Sequence, residues 1–155
     1  MIKPNARFEK ITDIPIDFFK ENNIKGVILD VDNTLITLDK EMLDGVKDWV
    51  ENVKRNKIEI CIASNSTKRT KLDKISNELQ LEYVRLSLKP LKFGLRKALK
   101  LINLNSNEVC EIGDQYFTDV IGAKRMGMFS ILTNPISEEK YLINKLKRKI
   151  EKNFI

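Results

Sequence analysis

The chain has 155 residues, of which 42% are hydrophobic and 32% charged, with a formal net charge of +6 and no histidine. This length favours a single domain around one hydrophobic core. The composition argues against several classes: no apolar run approaches the roughly 20 residues of a membrane span, no secretory signal is visible, and the lack of histidine disfavours a zinc site.

Apolar periodicity predicts that strands and helices alternate along the whole chain. Asp13 and Pro15 begin a short helix that continues through Phe18 and Phe19. The predicted strands are residues 25–31, 58–63, 82–86, 107–112 and 129–132. The predicted longer helices are residues 41–55, 67–79 (with Ser66 as its cap), 91–103, 116–126 and 137–152. This alternation predicts an α/β fold with a doubly wound, parallel, Rossmann-like sheet of about five strands.

Polar residues that can take part in catalysis or binding lie at or just after the ends of four of the predicted strands. In chain order they are Asp30 and Asp32, Ser64 and Asn65, Lys89, and Asp114 with Asp119 five residues further on. Right-handed crossovers bring the ends of parallel strands to one edge of the sheet, which is where open α/β sheets bind their ligands. The sequence therefore predicts that these residues form one site.

The residue types in this set favour phosphoryl transfer. Mg²⁺ prefers carboxylate oxygens together with water and substrate phosphate, and Asp30 and Asp114 supply them. The charge on a transferring phosphoryl group needs fixed cations and donors, which Lys89 and Ser64 provide. A carboxylate nucleophile divides ester hydrolysis into two easier steps, and a second carboxylate transfers the proton. Without histidine, that proton transfer falls to Asp32.

Four motifs in this order resemble those of haloacid dehalogenase-like (HAD) superfamily phosphatases of subclass III. They are Asp30–Leu35 (DVDNTL), Ala63–Asn65 (ASN), Leu88–Pro90 (LKP) and Gly113–Val120 (GDQYFTDV). The residues within these motifs most resemble those of the YqeG family, which is related to phosphatidylglycerophosphatases. The resemblance covers roughly residues 1–135. The resemblance implies a Mg²⁺-dependent phosphomonoester hydrolase that works through an aspartyl-phosphate intermediate.

The resemblance also implies catalytic and metal-binding roles. Asp30 is expected to be the nucleophile and a Mg²⁺ ligand, and Asp32 the acid/base whose backbone carbonyl reaches the metal. Asp114 is expected to complete the metal site, and Asp119 to support it by direct ligation or from behind the ligands. An alternative for Asp119 is that it only favours the first turn of its helix through the helix dipole.

On the substrate side, the resemblance implies that Ser64 and Lys89 hold phosphoryl oxygens, and we place Asn65 with them. Only 28 residues separate Leu35 from Ser64, and 24 separate Ser64 from Lys89, so each interval holds one helix and one strand. No large cap domain fits there, which favours an open site and a phosphate displayed on a lipid headgroup, a protein or a nucleic acid end. Within the resemblance, phosphatidylglycerophosphate is the favoured substrate.

The positive charge is concentrated at the C-terminal end. Residues 140–155 contain six basic residues and one acidic residue, whereas the other 139 contain 22 basic and 21 acidic residues. Residues 137–155 predict a basic amphipathic helix, which either packs on the sheet or docks on anionic lipid. The lack of a membrane span and of a secretory signal, together with two cysteines expected to be unpaired, predicts a cytoplasmic protein, and the basic segment favours peripheral contact at the inner membrane face as the alternative. Nucleic acid binding is disfavoured because few aromatic residues lie nearby for base stacking.

Other interpretations stay open for individual features. Lys68, Arg69, Lys71 and Lys74 are expected to form a solvated helix face, with Lys68 or Arg69 reaching an anionic substrate as the alternative. Cys61 and Cys110 lie in predicted strands and are expected to be small buried apolar residues, with a disulfide or a metal-binding pair as the alternative.

Two other functions compete with a phosphatase. A phosphate-responsive regulatory module also uses acidic residues, a hydroxyl and a lysine, but DVDNTL follows the first predicted strand here, which favours turnover. An RNA- or ribosome-associated binding factor with weak phosphatase activity would use the basic tail, and salt-dependent RNA binding would reveal it.

Overall fold

The computed structural model describes residues 2–137 and 150–153. Within these residues, six parallel strands form one sheet in the order β1-β6-β5-β2-β3-β4. The strands are β1 (Ala6–Phe8), β2 (Gly26–Leu29), β3 (Glu59–Ala63), β4 (Tyr83–Val84), β5 (Val109–Gly113) and β6 (Phe129–Thr133). The helices are α1 (Ile16–Glu21), α2 (Val46–Arg55), α3 (Arg69–Leu79), α4 (Lys92–Ile102) and α5 (Ile121–Arg125).

The doubly wound parallel sheet is confirmed, with one strand more than the sequence predicts. Strand β1 has only three residues, too few for a periodic pattern, and it pairs with β6. Asn5 fastens this edge, because its backbone N–H donates to the Ser130 carbonyl and its side-chain Oδ1 accepts the Ser130 N–H, both at 2.9 Å. The edge strand therefore depends on pairing that local sequence does not reveal.

The start of α3 differs from the prediction, and most of the predicted C-terminal helix lies outside the described residues. Helix α3 begins at Arg69 with Lys68 at its N-cap, so Ser66 is not the capping residue. The Ser66 hydroxyl instead accepts the Lys68 N–H at 3.1 Å, in a turn before the helix. The predicted helix at 137–152 lies mostly outside the described residues, of which 150–153 are helical.

Both faces of the sheet are buried, as expected of a parallel sheet. Along β2, Val27 and Leu29 belong to a core that includes residues of α1, α2 and α3, whereas Ile28 belongs to a core that includes residues of α4 and α5. The first core is tied to the segment before α1 by Trp49, whose indole N–H donates to the Ile14 carbonyl at 2.9 Å.

The chain order of the strands places a topological switch beside β2. From β2 the chain proceeds to β3 and β4 on one side, and then returns to β5 and β6 on the other. Leu29, the last residue of β2, pairs with Ile62 of β3 and Ile112 of β5. The loops after β2, β3 and β5 therefore meet at the carboxyl edge, where such sheets bind ligands.

The intervals between the first three motifs, which the structure describes in full, contain no cap domain, as their lengths predict. Between Leu35 and Ser64 the chain forms α2 and β3, and between Ser64 and Lys89 it forms α3 and β4. The described residues of these intervals contain no inserted domain, so nothing inserted there covers the carboxyl edge.

The two cysteines belong to the interior. Cys61 in β3 and Cys110 in β5 are both free and buried. Burial, and to a smaller extent Glu82, raises the pKa of the Cys61 thiol to about 12, and burial raises the pKa of Cys110 well above its ordinary value. Both thiols therefore stay protonated and act as small apolar side chains.

Gly94 provides a test of how closely α4 packs against the loop before it. A Cβ at Gly94 would overlap the backbone of Ser87, whose carbonyl also accepts the Gly94 N–H at 3.1 Å. Gly94→Ala is expected to lower the free energy of unfolding by about 1–3 kcal/mol through overpacking, although alanine favours a helix by about 1 kcal/mol. Urea unfolding measures this effect.

The matched control is Lys100→Ala, at an exposed position of the same helix, which is expected to change stability by less than about 0.5 kcal/mol. A stabilised Gly94→Ala variant would show that helix propensity outweighs the close approach and would contradict the packing argument.

Candidate active site

Lys89 is a buried cation surrounded by carboxylates. Its Nζ lies 2.7 Å from Asp119 Oδ1, 3.1 Å from Glu111 Oε1 and 3.2 Å from Asp30 Oδ1. The Lys89 side chain is 1% exposed. Burial by itself lowers the pKa of Lys89, but the three carboxylates outweigh it and raise that pKa well above its ordinary value. Lys89 therefore remains charged.

Strand register explains why these groups meet. Glu111 in β5 pairs with Ile28 in β2, and Asp30 lies two residues beyond Ile28. Because side chains two residues apart along a strand point to the same face, Asp30 and Glu111 both emerge on the face covered by α4 and α5. Lys89 reaches them from the loop between β4 and α4, and contacts both.

Asn65 holds the loop that carries Lys89. Its Oδ1 accepts hydrogen bonds from the Ser87 hydroxyl and from the Lys89 backbone N–H, both at 2.8 Å. Its Nδ2 donates to the Lys89 carbonyl at 3.0 Å. Both ends of the amide are thus engaged with residues 87–89, which gives Asn65 a positioning role. Direct contact between Asn65 and substrate remains a prediction.

Three aspartates form a compact group of potential metal ligands. One carboxylate oxygen from each of Asp30, Asp114 and Asp119 lies within 4.8 Å of the other two. The Thr34 hydroxyl donates weakly to Asp30 Oδ2 at 3.5 Å and to Asp114 Oδ1 at 3.4 Å, which links the first two. Hard oxygen donors at this spacing fit Mg²⁺.

Gly113 allows Asp119 to approach. A Cβ at Gly113 would overlap the Asp119 carboxyl group. Asp119 lies in a π-helical turn, Tyr116–Val120, and its Oδ2 accepts the Gln115 N–H at 3.1 Å. Asp119 is therefore fixed against the end of β5 by backbone contacts, in addition to its bond with Lys89. The helix-dipole explanation alone does not account for this position.

The cluster has more negative than positive groups. Burial and the nearby Asp119 carboxylate raise the pKa of Asp30 to about 6, and Lys89 offsets this only in part. Burial and Asp119 likewise raise the pKa of Glu111 well above its ordinary value. One lysine cannot neutralise all these carboxylates, so a divalent cation at the three aspartates would reduce their mutual repulsion.

Asp32 and Ser64 have contacts outside the Lys89 cluster. The Asp32 carboxylate, 50% exposed, is ion-paired with Lys71 Nζ at 2.8 Å. Ser64 is buried, and its hydroxyl accepts the Ser66 N–H at 3.1 Å. The expectation of a wholly solvated basic face on α3 is wrong for Lys71, whose side chain is only 12% exposed, whereas Lys68, Arg69 and Lys74 are exposed.

Three residues of the site escape sequence reasoning. Glu111 carries a recoverable signal, because a carboxylate inside an apolar strand is rarely fully buried unless it is paired. Thr34 lies inside the DVDNTL motif, but a hydroxyl there is equally typical of a turn. Lys71 carries no signal, since its partner Asp32 is 39 residues away in the chain.

A family model matches most of the chain. The family described as mitochondrial PGP phosphatase matches residues 1–137. Among curated proteins, the chain is 29% identical over 153 residues to "Probable phosphatase YqeG" of Bacillus subtilis (strain 168), covering 98% of this chain and 88% of that protein. It is 24% identical over 158 residues to phosphatidylglycerophosphate phosphatase 1, chloroplastic/mitochondrial, of Arabidopsis thaliana, covering 95% of this chain but 45% of the plant protein.

Solved structures share the fold at low sequence identity. An uncharacterized protein from Listeria monocytogenes serotype 4b has a TM-score of 0.61 and 21% identity, covering 77% of this chain and 84% of that one. The p-nitrophenyl phosphatase from Archaeoglobus fulgidus has a TM-score of 0.60 and 15% identity, covering 85% and 93%. The 3-deoxy-D-manno-octulosonate 8-phosphate phosphatase from Yersinia pestis has a TM-score of 0.55 and 19% identity, covering 75% and 67%.

The raised pKa of Asp30 predicts that the free energy of unfolding depends on pH. Because this pKa is raised to about 6, the folded protein binds the proton more tightly than the unfolded chain. The contribution of Asp30 to stability is therefore present below its ordinary pKa and is lost as the pH rises through about 6. Asp30→Asn removes this loss, so in EDTA at pH 7 the variant is expected to be more stable than the wild type.

Urea unfolding at several pH values between about 4 and 7 tests this expectation, because the gain should shrink as the pH falls. The control is Asp44→Asn, at an exposed carboxylate, which should show no such trend. A stability difference between Asp30→Asn and the wild type that is the same at all pH values would contradict the argument.

The positioning role of Asn65 is tested by Asn65→Ala. Loss of its hydrogen bonds to residues 87–89 is expected to lower the free energy of unfolding by about 1–3 kcal/mol. It should also lower kcat more than it raises KM, because Lys89 loses its fixed position. Asn77→Ala, at an exposed site on α3, is the control. A raised KM with unchanged stability and kcat would instead assign Asn65 to substrate contact.

Proposed function

The chain belongs to the mitochondrial PGP phosphatase family and is a HAD-type phosphatase, and we propose that it hydrolyses phosphomonoesters through an aspartyl phosphate formed on Asp30. The observation that most supports this mechanism is the position of Lys89. A fixed, charged ammonium group lies 3.2 Å from the carboxylate that would attack phosphorus, and 2.7 Å from a second carboxylate beside it.

In the first step, an Asp30 carboxylate oxygen attacks phosphorus and forms a P–O bond as the bond to the ester oxygen breaks. Asp32 donates a proton to that leaving oxygen, and the alcohol departs. Lys89 balances charge on the phosphoryl oxygens, as a fixed cation does without reorganisation. The buried Ser64 hydroxyl provides a hydrogen-bond donor at the same sheet edge.

In the second step, water attacks the phosphorus and Asp32 accepts its proton. The bond between phosphorus and Asp30 breaks, which releases inorganic phosphate and regenerates the carboxylate. The ion pair with Lys71 orients the Asp32 carboxylate, whose partial exposure leaves it open to the leaving group and to water. Glu111 acts on neither step directly; its contact with Lys89 holds the ammonium group in place.

The donor set of the site fits Mg²⁺. Asp30, Asp114 and Asp119 would hold the ion, and the Asp32 backbone carbonyl is a further proposed ligand. When bound, Mg²⁺ supplies positive charge to the phosphoryl group and to the crowded carboxylates.

We propose phosphatidylglycerophosphate as the substrate. The activity of the plant relative, phosphatidylglycerophosphate phosphatase 1, supports this choice, as does a carboxyl edge free of an inserted domain. No helix in the described ranges is long and apolar enough to cross a membrane. Three expectations remain predictions: a cytoplasmic location, a single domain over residues 1–155, and membrane contact through a basic helix at 137–155. That helix lies largely outside the described residues.

Phosphate release tests both the chemistry and the substrate. The assay compares phosphatidylglycerophosphate in mixed micelles with p-nitrophenyl phosphate, each with Mg²⁺ and with EDTA. Asp30→Asn is expected to reduce kcat by a factor on the order of 10³ or more, as losses of catalytic nucleophiles do. Asp44→Asn, at an exposed carboxylate, is the control.

Each outcome separates one part of the proposal. Release from the lipid alone, lost in Asp30→Asn, supports the mechanism and the substrate. Release from the soluble ester alone keeps the mechanism and rejects the lipid. Activity in EDTA equal to that in Mg²⁺ rejects the metal, and full activity in Asp30→Asn rejects the nucleophile.

A further inference from the structure

We propose that the loop between β4 and α4, together with the first turn of α4, docks on an anionic lipid bilayer at the same sheet edge as the active site. We call residues 85–93 the docking loop. The binding itself is independent of the proposed function, whereas its benefit to turnover rests on a lipid substrate.

The docking loop is unusually apolar for an exposed segment. Its exposed large side chains are Leu86 (41%), Leu88 (43%), Leu91 (52%) and Phe93 (53%). They are half of the eight large hydrophobic side chains that are exposed among the described residues. Such clustering within eight residues marks an interaction surface, whereas single exposed hydrophobic residues do not.

The backbone holds these leucines outward. Leu86 and Leu88 have φ angles of +51° and +58°, a left-handed conformation that is uncommon for residues with a bulky side chain. They alternate with Ser87 and Lys89, both of which are buried. The loop backbone is fixed, because the Leu86 N–H donates to Ser66 O at 3.0 Å and the Ser87 N–H to Ser64 O at 2.9 Å. The conformation that buries Lys89 therefore exposes its leucine neighbours.

The segment that contains the docking loop carries only positive charge. Residues 83–107 contain six basic residues and no acidic residue. Lys89 is neutralised inside the protein, and the other five lie at partly or fully exposed positions: Arg85, Lys92, Arg96, Lys97 and Lys100. The near-neutral balance outside the C-terminal segment thus conceals a second basic region. Exposed apolar residues with basic neighbours match the interface of an anionic bilayer, which attracts basic residues and buries apolar ones.

The position of the loop gives this surface an orientation. The docking loop follows β4 at the carboxyl edge, and its central residue Lys89 contacts Asp30. Phe117, which is 38% exposed, follows β5 at the same edge. A bilayer that contacts this edge lies next to the site, so a phosphate at its surface reaches Asp30 without leaving the membrane.

The double variant Leu91→Ser/Phe93→Ser tests the proposal. Leu91 is the N-cap of α4 and makes no capping bond with its side chain; serine is a preferred N-cap residue, so the helix should be retained. The matched control is Leu101→Ser on the same helix, 42% exposed and about 12 Å further along the axis from Phe93. Thermal unfolding is measured for each variant.

Binding is measured by co-sedimentation of the full chain with vesicles of phosphatidylglycerol and phosphatidylcholine in equal parts, and with phosphatidylcholine alone. The wild type is expected to bind the anionic vesicles more tightly. The double variant should bind them at least about tenfold more weakly, because it removes two apolar side chains that the bilayer would bury. Leu101→Ser should bind as the wild type does.

Unchanged vesicle binding by a folded double variant would overturn the proposal. An equal loss in Leu101→Ser would place the contact on the outer face of α4 and overturn the orientation. A wild-type dimer in sedimentation that the double variant abolishes would assign the surface to a second copy of the chain. Hydrolysis of p-nitrophenyl phosphate is followed separately, so failure of the phosphatase and failure of docking are distinguishable.

Discussion

The buried charge of Lys89 is the constraint on which the rest of the site depends. A cation that is 1% exposed is stable only if carboxylates surround it, and Asp30, Glu111 and Asp119 do so. Burial contributes most to raising the pKa of Asp30 to about 6, and repulsion from the Asp119 carboxylate adds to it. The structure thus exchanges stability for a site whose charged groups are already in place for the proposed phosphoryl group and metal ion.

The fold supplies this arrangement through loops that are fixed by backbone contacts. Lys89 belongs to a loop that Asn65 holds from the end of β3, and Asp119 lies in a turn that Gly113 admits at the end of β5. Parallel strands bring these loops together because their carboxyl ends share one edge. Solved structures at low sequence identity share this fold.

The sequence predicts the periodic parts of this structure and the motif residues, but not what depends on distant partners. Strands β2, β3 and β5 are largely apolar, so their positions and the polar residues after them are predictable. Strand β1 has three residues and exists through pairing with β6. Lys71 looks like any lysine on a basic helix until tertiary structure brings it to Asp32. The pairing of Glu111 with a cation is predictable in principle, because a carboxylate inside an apolar strand is buried only with a partner.

The ion pair between Asp32 and Lys71 differs from the Lys89 cluster in its contact with solvent. The Asp32 carboxylate is 50% exposed, whereas Asp30 is 14% exposed and Glu111 and Asp119 are at most 2% exposed. Dissolved salt screens exposed charges at a Debye length of about 8 Å under physiological ionic strength, but screens buried pairs much less. Ionic strength therefore acts on the two carboxylates of the DVDNTL motif unequally: it loosens the orientation of Asp32, the proposed proton-transfer group, and leaves Asp30, the proposed nucleophile, in place.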